Sequence, residues 1–211
     1  MKWLTQLFVG LTLGCVIHTS AHPSPNAKRD LASIQGVLTD IGTQVTSLDT
    51  SITASNPDPS AIVAGSTKLV STINSGVTTV QASAVLSDAD ALGLVGPVQT
   101  LSGNVNHTIT DLISIKSKVV SLGYGCTTLS QLQDQLKASN SLSDAIVSKV
   151  PAELQSIAKS LAAGISSAIQ NGVNSYSDTC TSSSSASLPG PTGSRRQVRK
   201  DTRALAVEKV F

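Results

Sequence analysis

Side chains able to do chemistry are sparse in this chain, and each lacks the partners its chemistry needs. A Ser-His-Asp hydrolytic set requires a histidine beside an activated hydroxyl. Past residue 22 the chain offers only His107, and the surrounding N-V-N-H-T reads as a helix face rather than an active-site loop. With no further histidine there and no Cys-x-x-Cys, the ligand count falls short of a zinc site. Asp88 and Asp90 resemble the opening of a calcium loop, but Leu92 occupies the third ligand position and the closing Glu is missing, so helix capping explains them better. Neither G-x-S-x-G nor G-x-x-x-x-G-K-[ST] occurs. The reading is of a protein that is not an enzyme and uses no metal or cofactor. What remains is modification chemistry: Asn106 in N-H-T is a sequon for N-glycosylation, and Cys126 and Cys180 are candidates for a bridge.

The elements that carry these residues are written in apolar stripes. Leu31, Ile34, Leu38, Ile41, Val45, Leu48 and Ile52 recur at threes and fours, predicting a helix from Asp30, as its N-cap, to about Ala54. Its other face carries Ser, Thr, Gln and Gly where charge would be usual. After S-N-P-D-P-S, Asp58 and Pro59 restart the chain, and Ile62, Leu69, Ile73 and Val80 mark a second helix over about 60–82. Ser87 and Asp90 form a variant capping box before a third helix carrying Leu94, Val98, Leu101, Val105, Leu112, Ile115 and Val119, kinked at Pro97 and ending near Leu122. Leu129, Leu132, Leu136, Ile146 and Val150 mark a fourth. Pro151 and Glu153 open a fifth with Leu154, Ile157, Leu161, Ile165, Ile169, Val173 and Tyr176, unless four and five are one helix bent at Pro151. The fold class is therefore all-α, an up-and-down bundle of about five antiparallel amphipathic helices over residues 30–178.

The ends differ from this body. Trp3 to Ile17 is apolar but too short to span a bilayer, and Thr19 and Ala21 suit signal peptidase, so residues 1–21 read as a secretory signal cut after Ala21. Residues 22–29 end in Lys28-Arg29, a second processing site. From Thr179 to residue 211, a Ser-rich linker and a basic tail are expected to be disordered, with too few apolar residues for a lipid-anchor signal. With 15 basic and 13 acidic residues and 2% aromatics, nothing favours nucleic acid. The expected destination is outside the cell.

Five alternating helices put the end of the third and the end of the fifth at one end of the bundle, so a Cys126–Cys180 disulfide is geometrically reasonable in an oxidising compartment. The stripes also break inward: Ser66 and Gly76 on helix two, Thr108 on helix three, Ser139 and Ser143 on helix four. Either small hydroxyls bond their own helix carbonyls, or a core poor in aromatics leaves room between helices. Such a space, lined by Leu38, Ile73, Leu101, Val105, Leu136 and Ile165 with Ser66, Thr108, Ser139 and Ser143 as its polar points, suits an acyl chain and its carboxyl head.

The ordered segments R-D-L-A-S-I-Q-G-V-L-T-D-I, K-L-V-S-T-I-N-S-G-V-T-T-V-Q-A, L-S-D-A-D-A-L-G-L-V-G-P-V-Q-T-L and D-A-I-V-S-K-V-P-A-E-L-Q-S-I-A resemble the fungal hydrophobic surface-binding proteins, a family that includes antigenic cell-wall galactomannoproteins. The resemblance implies a secreted helical glycoprotein that adsorbs to hydrophobic surfaces, helps recruit a polyester hydrolase, or holds fatty acids within its bundle. It transfers no catalytic motif. The alternatives are a structural mannoprotein presenting glycans among cell-wall polysaccharide, and a secreted effector that binds a host protein.

Overall fold

A computed structural model describes residues 25–180. The signal-peptide reading with Ala21, and the tail beyond Cys180, lie outside the described residues. Within them the chain is helical: α1 Pro25–Thr53, α2 Pro59–Ala82, α3 Asp88–Leu92, α4 Val95–Ser114, α5 Lys116–Ser121, α6 Gly125–Lys149 and α7 Gln155–Tyr176, with a 3₁₀ turn at Ala152–Leu154.

α1 starts earlier than its stripe suggests, at Pro25, so Asp30 lies inside the helix and is not its N-cap. Proline fits a first helical position because the N–H it lacks would have no partner there. Lys28 and Arg29 consequently sit in helical backbone, and the Arg29 carbonyl accepts the Ser33 hydroxyl at 2.9 Å. α2 begins as anticipated: Asp58 caps it by accepting from the Ser60 N–H at 2.9 Å, with Pro59 behind it. The Ser60 hydroxyl, and then its backbone N–H, hold the Asp58 carboxyl below the usual range. Ser87 caps α3 through the Asp90 N–H.

The expected third helix is three pieces. It breaks at Gly93-Leu94 and again at Ile115, and Pro97 falls in the first turn of α4, where it removes no hydrogen bond. The chain turns into α6 through Gly123, whose φ of 84° is open to a residue without a Cβ. Val150 is extended (ψ 136°) ahead of Pro151, so α6 and α7 are separate helices rather than one bent rod.

The long helices close a ring. α1 packs on α2 and α4, α2 on α6, α6 on α7, and α7 on α4. Chain-consecutive long helices run in opposite directions, as anticipated for an up-and-down bundle. The ring order nevertheless sets like-directed helices side by side in three seams. Gln35 near the start of α1 reaches Gly93 just before α4, Lys149 at the end of α6 reaches Gln81 at the end of α2, and Lys116 after α4 meets Asp178 after α7.

Inward residues form one aliphatic core, with Tyr176 its single buried aromatic among the described residues. On the outer face of α1, Thr39, Thr43, Thr46, Ser47, Thr50, Ser51 and Thr53 each donate to the carbonyl four residues back. This satisfies the hydroxyls locally and explains how a helix with so little charge keeps a polar exterior.

One end of the ring is locked. Tyr176 is fully buried and donates its hydroxyl to the Leu112 carbonyl at 2.8 Å. Lys116 lies 5.9 Å from its ring centroid and pairs with Asp178 at 2.7 Å, which holds the Asp178 carboxyl below its ordinary value. Cys126 and Cys180 are bridged across the same end, with Cα atoms 4.9 Å apart. Tyr176→Phe is expected to lower stability by about 1–2 kcal/mol, since the Leu112 carbonyl loses a buried donor, measured by guanidinium unfolding. Burial also raises the Tyr176 phenol above its ordinary range. The unfolded phenol ionises first, so this contribution is complete below about pH 10 and declines above it. The Phe variant should therefore lose less stability than the parent between neutral and strongly alkaline pH. Equal alkaline losses in the two proteins would contradict that assignment.

Candidate functional site

A ring of rods with no rod at its axis leaves space along the middle. The wall comes from every long helix: Leu38 and Val45 of α1, Ile73 of α2, Leu101 and Val105 of α4, Leu142 of α6, Ile165 and Ile169 of α7. The volume open to the centre of a water-sized sphere is about 100 Å³, several times the ~10–15 Å³ that admits one water. Aliphatic walls hold water poorly, so a hydrocarbon is the better occupant.

Four polar side chains interrupt this wall: Thr108 on α4, and Gln135, Ser139 and Ser143 on α6. They are not equivalent. Ser143 donates to the Ser139 carbonyl at 2.9 Å, so its hydroxyl is spent on its own helix. Thr108, Gln135 and Ser139 are buried, and among the described residues their side chains have no hydrogen bond to another protein group. Their donors and acceptors are available to a polar group entering the cavity. Among the described residues no titratable side chain lines the wall, so the polar groups it offers a head group are hydroxyl and amide hydrogen-bonding groups.

Of the residues singled out from sequence, Leu38, Ile73, Leu101, Val105, Thr108, Ser139, Ser143 and Ile165 lie on this wall. Ser66 is buried and Leu136 half-buried, but neither reaches it. Ser66 shares the inward stripe of α2 with Ile62 and Leu69, where it fills space. Leu136 sits one residue beyond Gln135, which takes the inward position three after Leu132. That spacing was legible, but an interior Gln was not expected from an apolar template. Asn106 is exposed on α4, two residues before the buried Thr108 that completes its sequon.

The cavity opens at the end of the ring away from the disulfide. Here α3 contributes Leu92 at 54% exposure and α7 contributes Ile157 at 49%, large apolar side chains that line the cavity yet face solvent. The first half of α7 holds no buried residue: those of its side chains classed as buried begin at Ala168. Leu154, Leu161 and Ile165 are only half-buried although they border the cavity. Among the described residues no helix is long and apolar enough to cross a membrane.

Comparison with known proteins gives a consistent set of relatives. Cell wall mannoprotein 1 of Aspergillus fumigatus is 44% identical over 173 residues, covering 82% of this chain and 60% of that protein. The Aspergillus flavus protein of the same name is 39% identical over 169 residues, covering 80% and 62%. The chain thus spans about three fifths of these curated relatives. In three dimensions it is similar to ligand binding domain 1 of the Penicillium marneffei MP1 protein, solved in complex with arachidonic acids, with a TM-score of 0.68 at 32% identity over 70% of this chain and 99% of that one. The model of the hydrophobic surface binding protein A family matches residues 31–148, which takes in α2 to α5 and most of α1 and α6, four of the ring's five helices. With that match over more than half its length, this chain belongs to the hydrophobic surface binding protein A family.

Proposed function

We propose that this chain is a non-enzymatic fatty-acid binder that takes the hydrocarbon tail into the axial cavity. The observation that carries the reading is the pairing of an aliphatic cavity with Thr108, Gln135 and Ser139, whose side chains have no hydrogen-bond partner among the described residues. Each buried methylene contributes about 0.8 kcal/mol, so a long acyl chain outweighs the cost of immobilising it. The hydroxyl and amide groups replace water at the carboxylate. The solved MP1 domain with arachidonic acids, of the same fold at 32% identity, supports the same reading.

The test is native mass spectrometry of the secreted protein, first as purified and then after solvent extraction and addition of palmitate. One or more fatty-acid adducts, lost on extraction and regained on addition, are expected. An extracted, folded protein that takes up no palmitate would overturn the proposal.

The exposed Leu92 and Ile157 at the mouth, with Val85 beside α3 at 63% exposure, favour a second use of the same end. Docked on wax or polyester, that rim would bury apolar surface and explain adsorption. Secretion to the wall or the medium, processing after Ala21 and Arg29, a glycan on Asn106, association with wall polysaccharide and recruitment of a polyester hydrolase complete the proposal. Support for them comes from the sequence and from relatives named as cell wall mannoproteins.

A further inference from the structure

Outside the ring, where like-directed α1 and α4 lie side by side, three chemically significant side chains converge. His107 Nδ1 lies 2.9 Å from Asp111 Oδ2, one helical turn along α4, and 3.6 Å from Asp49 Oδ1 across the seam on α1. All three ligand atoms lie within 4.8 Å of one another. Asp49 Oδ1 and Asp111 Oδ2 have almost no accessible surface and accept no hydrogen bond. The ion pairs among the described residues bring no Lys or Arg to them. Two desolvated carboxylate oxygens without a donor are costly, and both lie beside the same imidazole nitrogen. Either a proton on that nitrogen or a shared cation can answer them.

We propose that Asp49, His107 and Asp111 form a site for a divalent transition-metal ion of the Zn²⁺ type. Ligands held about 2.0–2.2 Å from such an ion stand roughly 2.9–3.5 Å from one another at right-angle to tetrahedral geometry, which is where Nδ1 already stands relative to the two oxygens, give or take a small shift of Asp49. Imidazole with two carboxylates suits Zn²⁺, Cu²⁺ or Ni²⁺, whereas Ca²⁺ prefers six or more oxygens. His107 is 70% exposed, leaving the outer coordination positions to water and the approach open. The count of histidines and cysteines in the sequence misses the site because two of its ligands are aspartates, one of which comes from a helix far away in the chain. The site is independent of the axial cavity and of the fatty-acid proposal.

The test is isothermal titration of the metal-stripped secreted protein with ZnCl₂ near neutral pH, beside His107→Ala and Asp49→Asn, with CaCl₂ as a control. One saturable Zn²⁺ per chain is expected, together with a rise in the unfolding temperature that Ca²⁺ does not produce. Each variant should keep the parent's helicity by circular dichroism and bind Zn²⁺ more than about tenfold more weakly, since losing even an outer-shell partner costs that much. Absence of saturable binding would overturn the proposal and leave the triad as a protonated bridge between helices. Equal binding by both variants would overturn it too, by placing the metal elsewhere in the chain.

Discussion

Ser139→Trp is expected to abolish most fatty-acid binding while leaving the helical ring assembled. Ser139 is buried on the cavity wall, and the indole that replaces its hydroxymethyl has no direction to grow except into the axial space. Overpacking costs about 1–3 kcal/mol of stability, and the cost falls toward the low end where the side chain borders a cavity, as Ser139 does. A guest that loses the burial of only two methylenes forfeits about 1.6 kcal/mol, which exceeds the ~1.4 kcal/mol of a tenfold change in Kd. The measurement is displacement of a fluorescent fatty acid from extracted protein, with Lys137→Trp on the exposed face of α6 as the control. Unchanged affinity in Ser139→Trp would mean that lipid binds somewhere other than the axis.

The second large effect is on stability. Replacing both Cys126 and Cys180 by serine removes a bridge that spans 54 positions of sequence, and chain-entropy reasoning for a loop of that size gives about 4 kcal/mol. For a domain of this length that corresponds to roughly 10 °C in the unfolding midpoint. The double variant avoids a stray thiol, and guanidinium unfolding under oxidising conditions reads the loss. A change below about 1 kcal/mol would show that Tyr176, Lys116 and Asp178 hold that end of the ring unaided.

Much of this architecture could be read from residue spacing. Threes and fours in Leu, Ile and Val located every long helix, because a core that is aliphatic but for Tyr176 leaves few other ways to be buried. The Asp58-Pro59 and Ser87-Asp90 caps were legible since capping is local chemistry. The bridge followed from helix direction alone. Breaks at Gly93 and Ile115 were less visible, because the stripe continues through them and only backbone geometry interrupts it. The start of α1 at Pro25 was missed for the opposite reason: the helix precedes its own apolar pattern. Ring order was also hidden. Loop lengths set which way a helix runs, but only side-chain packing decides which helices become neighbours. The pairing of α2 with α6 was therefore not available, nor was that of α1 with α4, which brings Asp49 to His107. Within the cavity, Thr108, Ser139 and Ser143 announced themselves as hydroxyls on an apolar stripe. Gln135 did not, because Leu136 beside it looked like the better inward residue.

A ring of five rods without a central one has a thermodynamic consequence for how the molecule must be handled. On the proposed function, a bound fatty acid would take the place of a missing stave, so that part of what would be core in an ordinary bundle would be supplied from outside the polypeptide. The melting point would then be a function of lipid concentration, rising with the logarithm of free lipid over its dissociation constant. Two preparations of identical sequence would then differ by several degrees solely through the lipid each had retained.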